Sequence, residues 1–357
     1  YSIVNGIVQD NPSLLLEPVR TNSFVQSNQF DTTWSLASGL TLTSGQSSAL
    51  TGGVDAWKLE SNGSSGFLAL NQNVIVSGTN SFSLYAKAGT NNIISLRSLS
   101  GLDVRAQFDL SNGSLIGASN TTSTEIKFIK DNWYRITITF SASNSAFYIY
   151  PMLQGAADAG YIYIQNAQLE LGSYPTSYIP TSGSIVPRAA ETANDAGTSA
   201  DFNDSEGVLF AEISALANDG TSRRISLSNG STSQRVSLEV EENANDIQAI
   251  IVSGTSQVGM VVSLANVMLF NKIAFKYKEN DFAIWANGFE LDTDTNGITP
   301  TSLSELAFDD GNGGADFYGN TKELAVFKTA LTDTELESLT SWTSFNAMAT
   351  GQLYTIK

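Results

Sequence analysis

Two pairs of tyrosines have the spacing that places both side chains of a pair on one face of a β-strand. Tyr148 and Tyr150 flank one isoleucine, and Tyr161 and Tyr163 flank another. Because successive side chains of a strand point to opposite faces, each pair shares a face. Sugars present apolar C–H faces, which bind flat aromatic rings set among polar side chains. The pairs therefore predict a carbohydrate-binding surface, which we expect three more aromatic residues to join: Tyr85, Trp34 and Trp57.

The same tyrosines also fit a purely structural hypothesis. Tyrosine is common in strands, and cross-strand aromatic pairs stabilise a sheet by roughly 0.2–1 kcal/mol. Under this hypothesis the tyrosines are buried in the core or between subunits. Their exposure to solvent distinguishes the two interpretations.

Two groups of oxygen-bearing side chains suggest a bound calcium ion. The first has the alternate spacing of the opening half of an EF-hand-type loop, with a glycine after it: Asp292, Asp294 and Asn296. The position of the closing bidentate glutamate holds Leu303, so the match is incomplete. The second group surrounds a glycine-rich turn: Asp309, Asp310 and Asp316. A structural Ca²⁺ is the only cofactor that these residues suggest.

The composition excludes the common catalytic centres. The 357 residues include no histidine and no cysteine. This rules out Ser-His-Asp and Cys-His catalytic units, histidine-ligated metals, disulfides and iron–sulfur clusters. Carboxylate pairs can still hydrolyse glycosides, and two runs loosely match acidic strand motifs: Glu290-x-Asp292-x-Asp294 and Glu239-x-Glu241-Glu242. Neither run has the full spacing and both lie beside predicted hairpin turns, so we expect that the chain is not an enzyme.

The charge balance argues against nucleic acid as a partner. With 18 Lys+Arg against 35 Asp+Glu, the formal net charge is −17. Affinity for phosphate requires clustered basic residues, and the few present are expected on solvated strand faces: Arg223 and Arg224, then Lys272, Lys276 and Lys278. We expect no membrane insertion, because polar residues interrupt the most apolar stretch, 247–270.

Turn signals and alternating apolar residues predict an all-β fold. Asn-Gly pairs, the strongest short hairpin signal, occur in both halves of the chain. Apolar residues alternate with polar ones over 134–140, 82–87 and 273–278, and residues 281–291 read as a hairpin around Asn287-Gly288. Many short strands with frequent turns are typical of sandwiches and jelly rolls. We therefore predict two tandem antiparallel β-sandwiches.

Only one segment has a helical signature. Thr332 and Glu335 match a capping box, followed by apolar Leu336 and Leu339, which predicts a short helix near 333–341 packed on a sheet. A stretch rich in Ala, Ser, Asp and Asn marks the domain boundary. The predicted division is a first sandwich over 1–190, a linker over 191–206, a second sandwich over 207–345 and a tail over 346–357. In the tail, three apolar residues suggest a last strand or a contact with a neighbouring subunit: Leu353, Tyr354 and Ile356.

Several runs resemble structural proteins of tailed phages and prophages. Residues 14–22 (LLLEPVRTN), followed by Phe30-x-x-x-Trp34, resemble the opening of a module in those proteins. Residues 167–181 (AQLELGSYPTSYIPT) and 186–190 (VPRAA) resemble the closing signature of a jelly-roll module similar to carbohydrate-binding domains. The second half is similar to the concanavalin A/laminin-G sandwich in several short runs: 202–207, 284–288, 317–320, 323–327 and 330–336.

The resemblance implies a tail-fibre or appendage protein on the virion surface that binds host-surface carbohydrate without catalysis. Such binding would be shallow and multivalent, with avidity from several copies. Other virion proteins would then be partners, and a homo-oligomer, a trimer or higher, is expected. Two alternatives remain: a purely structural decoration or fibre-shaft protein, and a secreted bacterial adhesin or the binding module of a polysaccharide-degrading enzyme.

Overall fold

The computed structural model describes residues 13–344 except 49 and 100, together with the backbone of 3–4 and 7–8 and with residue 347. Within this part the chain is all-β with one short helix. The earlier strands are β1 (Ile3–Val4), β2 (Ile7–Val8), β3 (Leu14–Leu16), β4 (Arg20–Thr21), β5 (Ser35–Leu36), β6 (Leu40–Gln46), β7 (Ala56–Asn62), β8 (Leu70–Val76), β9 (Thr79–Ala88), β10 (Ile93–Leu99), β11 (Val104–Asp109), β12 (Ser114–Ser119), β13 (Ser123–Lys130), β14 (Trp133–Ser141), β15 (Asn144–Tyr150), β16 (Ala159–Leu171) and β17 (Pro187–Arg188).

The later elements are β18 (Glu206–Ala215), β19 (Arg223–Ser228), β20 (Gln234–Val240), β21 (Asp246–Ser253), β22 (Thr255–Ser263), β23 (Asn271–Lys278), β24 (Phe282–Ala286), β25 (Phe289–Asp294), β26 (Glu305–Ala307), β27 (Gly319–Phe327) and α1 (Asp333–Thr340). The strands form two tandem antiparallel sandwiches, so the predicted fold class is confirmed. In the described part of the chain, no helix has the length and apolar character needed to cross a membrane.

The first sandwich consists of two six-stranded sheets. Sheet I has the strand order β12-β11-β10-β15-β8-β5 and sheet II has the order β13-β14-β9-β16-β7-β6. The predicted alternation is confirmed in the adjacent strands β9 and β14 of sheet II, where Phe82, Leu84 and Ala86 and the apolar residues of 136–140 are fully buried in one core. Because these side chains face inward, the alternate positions of every strand form the two outer faces.

The second sandwich packs a six-stranded sheet on a five-stranded one. Sheet III has the order β25-β24-β23-β18-β27-β3 and sheet IV has the order β22-β21-β20-β19-β26. Helix α1 covers the outer face of sheet III, where Leu336 is buried against Phe210 and Trp285. The capping box at its start is also confirmed, since the Thr332 backbone N–H and hydroxyl both donate to Glu335 Oε2, at 2.8 and 2.7 Å.

The division between the sandwiches differs from the expected one. Residues 19–189 form one compact unit, whereas 13–18 belong with 190–344 in the other. The reason is that β3 pairs with β27 at the edge of sheet III, and Leu16 packs into the second core. The opening run 14–22 therefore contributes to both sandwiches.

The segment predicted as a linker is part of the second sandwich. Phe202 is buried in its core, and Ala196 exchanges two backbone hydrogen bonds with Leu306, at 3.1 and 2.7 Å. The polar composition of this segment predicted a linker, but backbone hydrogen bonds and the buried Phe202 hold it in the second sandwich. The tail prediction for Leu353, Tyr354 and Ile356 lies outside the described residues.

The opening and closing runs of the first sandwich meet at one buried side chain. The Asn22 amide nitrogen donates to the carbonyls of Ala167 (3.1 Å) and Ile179 (3.0 Å). Its oxygen accepts from the backbone N–H groups of Phe24 (3.2 Å) and Leu169 (3.0 Å). Four backbone groups from three segments are therefore satisfied by one fully buried amide.

The closing run is itself folded by buried polar side chains. Gln168 Oε1 accepts from the N–H of Ile179 at 2.6 Å, and its amide nitrogen donates to Glu170 at 2.6 Å. Glu170 also accepts from the backbone N–H of Thr176 at 3.0 Å and from its hydroxyl. These bonds bring the loop after β16 back over sheet II.

We expect Asn22→Ala to destabilise the first sandwich by about 3 kcal/mol, because each buried polar group left without a partner costs about 1–3 kcal/mol. Chemical denaturation followed by tryptophan fluorescence measures this loss. Asn73→Ala is the matched control, since Asn73 is exposed and its side chain bonds no described residue. If the two variants had the same unfolding free energy, the network would not hold the sandwich closed.

Candidate functional site

Tyr148 lies at the centre of a row of side chains on the outer face of sheet I. Its neighbours Phe147 and Ile149 enter the core. In the register of the sheet, Tyr148 stands opposite Arg97 on one side and Asn71 on the other, and Arg97 stands opposite Arg105. Directly paired residues share a face, so four strands contribute one straight row.

Phe67 completes this surface, which we call the Tyr148 face (Phe67, Asn71, Arg97, Arg105 and Tyr148). Phe67 is 51% exposed and packs edge-on against the half-buried Tyr148 ring, with 5.0 Å between centroids. The side chains of Asn71 and Arg105 form no hydrogen bond or ion pair with a described residue. Exposed aromatic carbon therefore lies beside polar groups that are free to bind a ligand.

An ion pair fixes the middle of the Tyr148 face. Arg97 Nε and Nη2 donate to the two carboxylate oxygens of Asp103, at 2.8 and 3.1 Å. This bidentate contact raises the pKa of Arg97 and lowers the pKa of Asp103. The pair offers donors and acceptors in one rigid arrangement.

Tyr150 is not a surface residue, which corrects the prediction for this tyrosine. It is 2% exposed, and the Phe67 ring packs over it at 5.5 Å. Burial raises the pKa of Tyr150 to about 12, while the nearby Arg97 guanidinium acts in the opposite direction. Phe67, a loop residue distant in sequence, covers Tyr150, so Tyr150 lies beneath the exposed Phe67 ring.

The second tyrosine pair lies on the outer face of sheet II. Tyr161 and Tyr163 pack edge to face with 5.4 Å between centroids, and burial raises the pKa of Tyr163. Lys58 Nζ lies 5.2 Å from the Tyr161 centroid, and Tyr161 leaves no room for a Cβ at Gly89. The half-buried rings of this pair are therefore partly occupied by their own chain.

Tyr85 belongs to the same outer face of sheet II. The Arg135 guanidinium lies 5.5 Å from its centroid, and Arg135 also donates to the carbonyl of Thr176 at 2.7 Å. The closing run thus holds a cation against the Tyr85 ring, which leaves it less available to a ligand than Tyr148 or Phe67.

The two predicted tryptophans are core residues, which corrects a second part of the prediction. Trp34 is 6% exposed, packs on Phe24 at 4.9 Å and donates from its indole nitrogen to the carbonyl of Gln26 at 2.8 Å. Trp57 is equally buried and packs on Phe30 at 6.2 Å. One edge of Trp57 lines a cavity of about 310 Å³, whose other walls are largely polar: Asn28, Gln29, Asp31, Ser44 and Asp55.

The candidate calcium residues fall in two places in the second sandwich. Asp292 and Asp294 lie on β25, and Asp294 Oδ1 accepts from the backbone N–H of Asn296 at 2.9 Å. Asp309 is 2% exposed and accepts from the N–H of Gly311 at 2.6 Å, and Asp310 Oδ1 accepts from two other amides of this turn. Among the described residues, no three acidic side chains lie close enough to share a metal ion. Calcium binding stays a prediction.

The carboxylates considered for catalysis have other surroundings. Glu239 Oε2 lies 2.7 Å from Arg224 Nε in an ion pair, and its other oxygen accepts from the Ser222 hydroxyl. Glu290 and Asp292 are exposed on β25 at the edge of sheet III. These acids therefore act as an ion-pair partner and as solvated edge residues.

Sequence reasoning missed a polar outer face on sheet IV. Arg223 and Arg224 were expected on solvated strand faces, but Arg223 is buried and lies 2.8 Å from Asp219. The sequence does contain a signal for this face, since polar residues alternate with apolar ones along both β19 and β20. These polar residues are Arg224, Ser226 and Ser228 on β19, and Arg235, Ser237 and Glu239 on β20.

Asp309→Asn should stabilise the chain at pH 7. Burial first, and then the charges of Asp310 and Asp316, raise the pKa of Asp309. A carboxyl with a raised pKa favours folding in its protonated form, and this contribution is lost as the pH rises through the raised value. The unfolding free energy of the variant should exceed that of the wild type at pH 7 and approach it as the pH falls towards 4. Glu290→Gln, an exposed control in the same sandwich, should show no such convergence.

Comparison with known proteins shows only distant structural similarity. No protein family and no curated protein matches the sequence. Among solved structures, the Ruminococcus gnavus IT-sialidase CBM40 has 16% identity and a TM-score of 0.34 over 39% of this chain and 84% of its own. The botulinum neurotoxin type G receptor-binding domain has 12% identity and a TM-score of 0.31 over 44% and 48%. Mouse laminin α1 domains LG4-5 have 7% identity and a TM-score of 0.27 over 93% and 95%.

Proposed function

We propose that the chain is a non-catalytic virion surface protein that binds host-surface carbohydrate through the Tyr148 face. The observation that carries this proposal is the row of Asn71, Tyr148, Arg97 and Arg105 across four paired strands, with exposed Phe67 beside it. An aromatic surface flanked by an amide, a guanidinium and an ion pair suits a ligand with both C–H faces and hydroxyl groups.

The chemistry of the face favours a neutral or weakly charged sugar ring. Phe67 and Tyr148 supply apolar contact area with few rotatable bonds. Sugar hydroxyls both donate and accept, so they can bond Asp103 as well as Arg97 and Asn71. An open sheet face buries little of a ligand, and single sites are therefore weak. Avidity from several copies in a trimer or a higher homo-oligomer raises the total affinity without new contacts.

The virion assignment rests on the runs that resemble phage structural proteins, 14–22 and 167–190. The two runs fold together, since Asn22 of the first bonds the backbone of Ala167, Leu169 and Ile179 in the second. The alternative is a decoration or fibre-shaft protein without a ligand. In that case the Tyr148 face would be covered in the assembled particle.

We expect Tyr148→Ala to weaken binding on a glycan array at least tenfold while leaving the melting temperature nearly unchanged, because the ring is half-buried on an outer face. Phe67→Ala should weaken binding equally and also lower the melting temperature, because it uncovers the Tyr150 ring. Tyr150→Ala is the structural contrast: loss of a buried aromatic ring costs about 3–5 kcal/mol and should lower the melting temperature strongly. Tyr161→Ala on sheet II is the matched control, and equal loss of binding in that variant would contradict the assignment to sheet I.

Purified virions of the phage that encodes the chain should contain it. Mass spectrometry of gradient-purified particles measures this directly. Detection with the Tyr148 face accessible to chemical labelling would favour the binding function. Absence of the chain from the particles would exclude the virion part of the proposal. The carbohydrate-binding part would then be tested by the glycan array alone.

A further inference from the structure

The outer face of sheet IV carries a compact polar cluster, which we call the arginine–serine face (Arg224, Ser226, Arg235, Ser237 and Glu239). In the register of β19 and β20, Arg224 stands opposite Glu239 and Ser226 opposite Ser237. Arg235 lies on the same face, two residues before Ser237 on β20 and opposite Ser228. The two serines form a low floor between two long guanidinium side chains.

This face is unusual because three of its side chains, Ser226, Ser237 and Arg235, are buried with polar atoms that have no partner in the described part of the chain. Ser226 and Ser237 are fully buried and Arg235 is 8% exposed. The two hydroxyls and the Arg235 Nε atom form no hydrogen bond with any residue that the structure describes. Each buried polar group without a partner costs about 1–3 kcal/mol, so the cluster opposes folding as it stands.

The charges are unbalanced in the same place. Arg224 is paired with Glu239 at 2.7 Å, but Arg235 has no ion-pair partner among the described carboxylates and donates only to the backbone carbonyl of Asp310, at 2.9 Å. Burial lowers the pKa of Arg235, and the charge acting most strongly on it is a second cation, Arg224. An unpaired guanidinium held beside another is costly in a buried position.

The nearby acids are engaged elsewhere. The Asp310 carboxylate accepts from backbone amides of its own turn, at 3.0 and 3.1 Å. Glu305 accepts from the Ser228 hydroxyl at 3.1 Å. The charges of Asp310 and Glu239 raise the pKa of Arg235 and so partly offset Arg224, but neither carboxylate forms an ion pair with Arg235 among the described residues. Arg235 is therefore the guanidinium of this face that has no carboxylate partner among the described residues.

We propose that Arg224 and Arg235 form an oxyanion-binding site on the arginine–serine face, which takes the carboxylate or sulfate group of an acidic saccharide. Guanidinium groups bind such oxyanions with short, charge-assisted hydrogen bonds. The two serine hydroxyls lie beneath on the same face, and neither bonds a described residue. The saccharide part of the proposal rests on the carbohydrate-binding function proposed above, whereas the oxyanion part does not.

Calorimetric titration of the full chain tests the site with three probes: inorganic sulfate, glucuronate and glucose. Ionic strength is held constant with NaCl, because screening alone changes weak electrostatic binding. We expect sulfate or glucuronate to bind, and we expect any heat with glucose, which the Tyr148 face would give, to be the same in the wild type and in Arg235→Met. Arg235→Met should reduce the affinity at least tenfold, and Lys278→Met, which removes a 51% exposed lysine of the same sandwich, should leave it unchanged.

Arg235→Met is expected to fold, since replacing an unpaired buried charge by an apolar side chain is often neutral or stabilising. If it does not fold, crystals of the wild type soaked in selenate locate the anion by anomalous scattering. Selenate between Arg224 and Arg235 supports the site, and selenate found only elsewhere overturns it.

Three other results would also overturn the proposal: no binding of either anion, an equal loss of glucose binding in Arg235→Met, or unchanged anion affinity in that variant. Tyr148→Ala separates this proposal from the proposed function, because that variant should lose array binding through the Tyr148 face and retain anion binding at Arg235. Loss of both in Tyr148→Ala would count against two independent sites.

Discussion

The first sandwich depends on the buried amide of Asn22. This amide joins the segment after β4 to strand β16 and to the loop that follows β16. The amide fixes Phe24, whose ring packs edge-on against Phe82 of sheet II and Phe147 of sheet I, at 5.4 and 5.7 Å. Phe147 in turn determines the outward direction of Tyr148, its neighbour on β15. A polar network at the closure of the sandwich thus reaches the Tyr148 face through two aromatic rings, Phe24 and Phe147.

Period-two patterns predicted much of this molecule. They gave the all-β class, the inward residues of β9, β14 and β23, and the common face of Tyr148 and Tyr150, because the pleat of a strand is a local property. They could not predict which member of the pair is exposed. Tyr150 is buried by Phe67, a loop residue more than eighty positions away, and Trp34 is buried by packing on Phe24 and Phe30. Burial is decided by tertiary neighbours, and a single sequence does not identify them.

The outer faces of the two sheets in the second sandwich differ in polarity. Sheet III presents apolar residues there, and α1 covers them with Leu336. Sheet IV has no helix on its outer face in the described chain and presents arginine, serine and glutamate instead. An apolar covering favours stability, whereas a buried polar face with unmet hydrogen bonds does not. The two sheets therefore differ in the chemistry that they present on their outer faces.

Pairing of β3 with β27 also determines how the chain can be divided for experiments. Between residues 13 and 344 the polypeptide passes from one sandwich to the other twice, near 18–19 and near 189–190, so the first sandwich is an insertion within the second. A fragment that begins at residue 190 lacks the edge strand of sheet III and exposes the unpaired backbone of β27, which favours association with another copy. An isolated second sandwich therefore requires residues 13–18 to be rejoined to it, for example by circular permutation.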